Sequence, residues 1–382
     1  MKSLKIIAGL ACLLMLASNV WSMSHWTESR GVYDDVCYLR QAHLFQRFGL
    51  TGFDTDLSRD DDHYLVSKLK EIGFPTWNDV TTLPCHTAMS ASNKRVAQYP
   101  PGTGLLLAMF PEGHQVVPLY VSASIVITGF ALLGIVYASS TATVLAAGAF
   151  GCLAIYLMIN PSKASYSMAP TMVVCALAGY LTARLFIRTR PSRRTLLSIS
   201  LGLLLGLSVN LRLPNLFLAS GYLVVFVMAF WSSRKIVAAL RGVAFAVAFL
   251  IGLAPTLLAN AINAGSPLST TYGGQDVAPP DFSFRVVWQY AGDIQTIFLL
   301  LALGCAAFTL RARCEEGIRR VALVTVANLV INIVFFMSHP VFTPYYTIPI
   351  AMLSLWSLLF ASLMQQADEV RAGRPAKQAV AV

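Results

Sequence analysis

Charge is what this chain has least of. Only 12% of its 382 residues are Asp, Glu, Lys or Arg against 56% hydrophobic, and the mean hydropathy is +0.63. That shortage excludes a soluble globule, which needs a polar exterior. The chain also lacks a Cys-x-x-Cys or Cys/His spacing that would suggest a metal site. It has no Gly-rich phosphate loop, no Walker motif, no carboxylate pair of the glycosidase kind and no internal repeat of useful length. No acid lies deep in an apolar run, Asp293 being at a border. A secondary transporter would place ionisable groups near the midplane and show repeated halves, so that class is disfavoured.

What is there is a series of apolar runs of about 17 to 25 residues, the length that crosses a bilayer as a helix. They lie near 4 to 22, 116 to 137, 142 to 160, 168 to 187, 195 to 211, 213 to 231, 242 to 262, 292 to 310, 321 to 338 and 346 to 364. The expected fold is an all-α membrane protein with about ten transmembrane helices. Its domains would be a first transmembrane helix (1–22), an exterior loop with interfacial helices (23–115), a multi-helix transmembrane domain (116–364) and a cytoplasmic tail (365–382).

Basic residues sort by side. With the N-terminus inside, one side holds Lys2, Arg184, Arg188, Arg190, Arg193, Arg194, Arg234, Lys235, Arg241, Arg311, Arg313, Arg319, Arg320, Arg371, Arg374 and Lys377. This is the cytoplasmic bias of Lys and Arg near span ends. Outside the first loop only Lys163, Arg212 and Arg285 fall on the other side. The net charge of +10 is therefore mostly topology, and nucleic acid is not an expected partner. Lys2 and Lys5 before a short apolar core, with small residues near Ala17, Ser18 and Ser22, also fit a cleaved signal peptide. Under either reading 23–115 is exterior.

That loop holds eleven of the eighteen acids, so it is the expected seat of chemistry. Asp34 and Asp35 follow the first span closely. A carboxylate at the water–lipid boundary can take a proton from a hydroxyl while the hydrocarbon holds a lipid-linked substrate. Val36, Tyr38, Leu39, Ala42, Leu44 and Phe45 give 35–48 the pattern of an amphipathic helix with an acid at its N-terminus. Turns are expected at Gly73-Phe74-Pro75, Leu83-Pro84 and Tyr99–Gly104, the last opening a short re-entrant or interfacial helix over Leu105–Phe110. Cys37 and Cys85 are the only exterior cysteines, either disulfide-bonded or simply unpaired.

Four stretches carry a resemblance: Asp34-Asp35-Val36-Cys37-Tyr38 running to Gly49; Tyr99-Pro100-Pro101-Gly102; Asn210-Leu211-Arg212-Leu213-Pro214; and Pro344-Tyr345-Tyr346-Thr347-Ile348-Pro349. In order and shared side the chain resembles the polytopic glycosyltransferases of the GT-C class, which include protein mannosyltransferases and the bacterial aminoarabinose transferase. It departs from them in having Asp35 where Glu is usual and in lacking a large soluble domain after the spans. The resemblance implies inverting transfer of a sugar from a polyprenyl-phosphate donor to a hydroxyl of a glycan, lipid or protein, on the periplasmic face of a bacterial inner membrane. Asp34 would be the general base, with Asp35 either a second working acid or one that only caps the helix or binds a neighbouring amide. Arg212 ranks first as partner of the lipid phosphate, joined by Lys163, Arg285 and Arg40, with a snorkelling arginine as the alternative. His339, Tyr345 and Tyr346 would touch sugar or anchor the interface, and Tyr99 would shape the lipid groove or only a turn. No cofactor is required; a divalent metal stays open, with no residue pattern to support one. Asp60-Asp61-Asp62 reads as a solvated acidic turn before a cation site, and His25, His43, His63, His86 and His114 as surface residues. A transporter, a lipid-linked glycan ligase and an envelope assembly protein remain the other classes.

Overall fold

The structure is a computed structural model describing residues 1–28, 33–160, 165–187, 191–234, 236–273, 279–312, 314–339, 341–343 and 345–371. Lys163, Arg188, Arg190, Lys235, Arg313, Pro344, Arg374, Lys377 and the tail from 372 lie outside the described residues, as does the side chain of Asp34.

Among the described residues the chain forms α1 (Lys2–Met23), α2 (Val36–Phe48), α3 (Tyr64–Glu71), β1 (His86–Met89), β2 (Lys94–Ala97), α4 (Gly102–Leu107), α5 (Val116–Tyr137), α6 (Thr141–Tyr156), α7 (Met168–Ile187), α8 (Pro191–Val209), α9 (Ser220–Ser233), α10 (Ile236–Ala264), α11 (Phe284–Ala291), α12 (Ile294–Arg311), α13 (Glu316–Ser338) and α14 (Ile348–Arg371). Eight stretches are long and apolar enough to cross a membrane: α1, α5, α7, α10, α12, α13, α14 and the stretch 213–232 that contains α9. This is an all-α, multi-pass membrane protein. All ten expected runs are helical in order, but α6 has only 16 residues and α8 is not among the eight.

Helices in lipid have no hydrophobic drive toward each other, so they pair where small residues let backbones approach. At Gly202 and Gly206 of α8 a Cβ would come within 2.3 and 2.1 Å of the Phe245 and Phe249 carbonyl oxygens of α10. α14 lies at the centre, its Trp356 and Phe360 fully buried, as expected of a helix apolar on all faces. α1 packs into the bundle as well: Cys12 is buried and Asn19 Nδ2 donates to the Ile155 carbonyl at 2.6 Å. Lys5 Nζ donates to the Val136 carbonyl, and Ser139 to Gln366 Oε1, so the start of α1, the α5–α6 turn and the far end of α14 share one end of the bundle.

The 23–115 segment is a small folded cap at the opposite end, held by a Cys37–Cys85 disulfide and a two-stranded antiparallel hairpin, β1–β2. α10, 29 residues and so roughly 43 Å long, outreaches a hydrocarbon core of about 30 Å. Its last turn docks the cap. Asn263 Oδ1 accepts from the Thr55 amide at 2.9 Å, Asn263 Nδ2 donates to the Phe53 carbonyl, and Lys94 reaches the Ile262 carbonyl. Next to Pro255 in α10, the Asn210 side chain donates to the Gly252 carbonyl at 2.7 Å and accepts from the Thr256 amide at 2.8 Å. An amide wedged against a helical ladder beside a proline satisfies groups that the proline disturbs.

The acidic run is a turn at 61–62 with Asp61 and Asp62 exposed, as expected, while Asp60 points inward. Asp60 faces Arg40 and accepts from the Leu65 amide, Asp61 pairs with Arg47, and Asp62 accepts from His43 and the Tyr64 amide. His43 lies between Asp62 and Glu112 and stacks on Tyr64 at 4.0 Å, while His86 is buried. His43 is half-buried by these partners, and His86 is enclosed by the Pro84 carbonyl and Arg40, so these two depart from the surface expectation, whereas His25, His63 and His114 are exposed as expected.

Candidate functional site

The site begins where a 3-10 turn, Tyr33–Asp35, runs into α2. Asp35 is 1% exposed and does not cap α2 with its side chain. Its Oδ1 instead accepts from Ser165 Oγ at 2.7 Å and from the Tyr166 amide at 3.2 Å, which ties the start of α2 to the segment before α7. The helix-cap reading is corrected by this: the amide that Asp35 meets is 131 residues away in sequence. Tyr38, one turn on, stacks on Tyr99 with ring centroids 4.9 Å apart. Burial, aided by Asp35, pushes the Tyr38 phenol above its ordinary value, although Ser167 and Arg212 oppose the shift.

Tyr99 leads into Pro100-Pro101 and α4. The Gly102 amide donates to the Asn210 carbonyl at 2.6 Å, and Thr103 Oγ1 to the Leu211 carbonyl at 2.9 Å. These donors satisfy carbonyls that the end of α8 leaves open. A Cβ at Gly102 would lie 2.6 Å from the Asn210 oxygen, so only glycine permits this approach.

The residue thus fixed is Arg212, extended in backbone and 4% exposed. Its guanidinium carbon is 4.6 Å from the Tyr346 ring centroid and 5.2 Å from that of Tyr345, and Nη1 points at Met168 Sδ at 2.7 Å. Among the described residues no carboxylate lies within 4.0 Å of it. The two tyrosines are held by Gln295 of α12, whose Oε1 accepts from the Thr347 amide and hydroxyl and whose Nε2 donates to the Thr343 carbonyl. Burial raises the Tyr345 phenol, opposed by Arg212.

So the structure brings together Asp35, Tyr99, Arg212, Tyr345 and Tyr346, one or more from each of the four stretches. It does not bring Arg40 to them. That side chain is buried in the cap, its Nη1 and Nη2 donating to the Thr55 and Asp56 carbonyls at 2.8 Å and its Nε 3.7 Å from Asp60. Arg285 is exposed on α11. His339 stacks on Phe335 at 5.9 Å. Sequence reasoning missed Ser165, Tyr166, Ser167, Met168 and Gln295. The one signal for the first three was their place as a polar run between two apolar spans.

Among the described residues the one trio of metal-ligand types is Cys37, Cys85 and His86, and the disulfide consumes both thiols. That trio does not fit a metal. No family model, curated protein or solved structure matches this chain.

Proposed function

We propose that this chain is an inverting membrane glycosyltransferase of the GT-C kind, using a polyprenyl-phosphate sugar as donor at the end of the bundle that carries the cap. The observation that carries this reading is Arg212: a guanidinium buried against two tyrosines, with no carboxylate partner among the described residues, beside the start of α2. A buried cation is costly unless an anion answers it. The planar fork of arginine suits two phosphate oxygens at once.

In the reaction the donor phosphate lies on Arg212, which stabilises the charge that develops as the phosphate leaves. Asp34 removes the proton of the acceptor hydroxyl as it attacks the anomeric carbon from the opposite face, which inverts that centre. Asp35 positions the turn, holding Ser165 and Tyr166. Tyr38, Tyr99, Tyr345 and Tyr346 give the aromatic surface on which a sugar ring or prenyl chain rests. Lys163, three residues before Tyr166 in sequence, is the second basic residue offered for the phosphate. The cap faces the periplasm of a bacterial inner membrane, with both termini cytoplasmic, as the basic residues at the opposite end support.

The test is a mass-spectrometric profile of polyprenyl-phosphate sugars and envelope glycans in cells carrying the wild type, no protein or Asp34→Asn. One lipid-phosphate sugar accumulating and one glycan disappearing, in both the null and the variant, would support transfer and name the donor. Unchanged profiles with normal protein levels would overturn it in favour of transport or assembly.

A further inference from the structure

α11 is an eight-residue helix at the cap end of the bundle. The Asp281 amide just before it donates to the Ser338 carbonyl at the end of α13, and two residues separate it from α12. One face is spent on protein: Val286 and Tyr290 are buried against Phe336 and Phe342, with Tyr290 and Phe342 edge to face at 4.8 Å. The other face is apolar too. Phe284 is 79% exposed and Trp288 70%, their rings stacked at 6.2 Å, and Phe282 and Val287 add to the patch. A helix whose free face carries Phe, Val and Trp has no reason to face water.

What covers that face follows from its neighbours. The patch continues into Ile294, Ile297 and Leu300 of α12, exposed residues on a helix long and apolar enough to span. Lipid covers those, and it has no cause to stop at α11. The chemistry agrees with the boundary: Trp is favoured where hydrocarbon meets headgroup, and Arg285, exposed on the same helix, can extend its guanidinium to lipid phosphates. We propose that α11 lies flat in the outer lipid interface, with Phe284 and Trp288 among the lipid chains. Its buried face packs through Phe336 onto Tyr346, the ring beneath Arg212. α11 therefore backs the Tyr346–Arg212 pair from the lipid side, whatever reaction that pair serves.

The experiment compares tryptophan emission of the wild type and Trp288→Phe in lipid nanodiscs, the difference isolating Trp288 from the other five tryptophans. Because Trp288 is largely exposed, the variant should keep its melting temperature, which is checked first. The expected difference spectrum is blue-shifted, loses most of its intensity when the lipids carry bromine at shallow chain positions, and resists aqueous acrylamide. Quenching by acrylamide but not by brominated lipid would place α11 in water and overturn the proposal. Quenching by neither would mean a protein partner covers the face, which overturns it as well. Neither readout depends on transferase activity.

Discussion

The Arg212 guanidinium lies 4.6 Å from the centre of the Tyr346 ring, a cation on an aromatic face with no carboxylate within 4.0 Å among the described residues. Such a contact contributes about 2 kcal/mol when desolvated. Burying an ion costs several kcal/mol even after the surroundings relax, so the ring alone does not offset the burial. An anion on the remaining N–H groups would.

Arg212→Ala is expected to abolish glycan formation while the protein still inserts. Arg212→Lys keeps the charge but loses the fork and the stacking, and should lower turnover at least about tenfold. Tyr346→Phe should be close to neutral. Tyr346→Ala, losing the cation–ring contact, should weaken donor binding by about 30-fold, the equivalent of about 2 kcal/mol. Titration of the purified protein with a short prenyl phosphate checks the series, and an unchanged affinity in Arg212→Ala would remove Arg212 from the donor site.

Asp34 and Asp35 should separate by what their variants lose. Asp35→Ala strands the Tyr166 amide and the Ser165 hydroxyl and should cost about 1–3 kcal/mol of stability. Asp35→Asn keeps an acceptor oxygen and should melt closer to the wild type. Asp34→Asn should melt as the wild type yet lose transfer. The reverse outcome, with Asp34→Asn active and Asp35→Asn stable but inactive, would move the base to Asp35.

Reduction should loosen the cap. The Cys37–Cys85 link joins residues 48 apart. In the loop-entropy account a closure of this length stabilises by about 4 kcal/mol. Cys37→Ala with Cys85→Ala, or treatment with a reductant, should speed proteolysis within 23–115 while the bundle stays protected. Equal cleavage rates with and without reductant would show that the bond contributes nothing to the cap.

Acid should loosen it too, through His86. Its Nδ1 meets the Pro84 carbonyl at 2.8 Å and its Nε2 faces Arg40 Nη1 at 3.4 Å, so the network assigns the proton to Nδ1 and leaves Nε2 as acceptor. Burial first, then Arg40, lowers its pKa to about 3. The folded ring stays neutral while the unfolded one takes a proton below its ordinary value of about 6.5, so stability is present above that pH and falls as pH drops toward 3. The slope approaches about 1.4 kcal/mol per pH unit. Melting curves from pH 7.5 to 4.5 should show a steeper decline for the wild type than for His86→Gln. Parallel curves would exclude His86 as the cause.

The ten helical runs and the sorting of arginines to one end were legible because membrane crossing is written in local composition. Of the site, Arg212 was legible as an isolated cation between apolar runs, and Tyr345 and Tyr346 as polar-tipped aromatics at a span entry. Arg40 was misplaced for the same reason: an exterior arginine looks available in sequence, whereas its partners, the Thr55 and Asp56 carbonyls, belong to a fold of the cap that no short pattern announces. Asp35 with Tyr166 could not have been read at all, because nothing local pairs two residues separated by two spans, α5 and α6.

By itself, then, the sequence determined that this is a bundle of membrane helices with its acids gathered in one segment outside it, since hydrocarbon forbids any other use of so apolar a chain. The tertiary structure decided which of the polar residues share a pocket. Gly102 and Thr103 of the cap close the carbonyls at the end of α8, and Gln295 of α12 holds the tyrosines. These contacts set the place of Arg212 through hydrogen bonds across the fold, which depend on distance in space and not on distance along the chain.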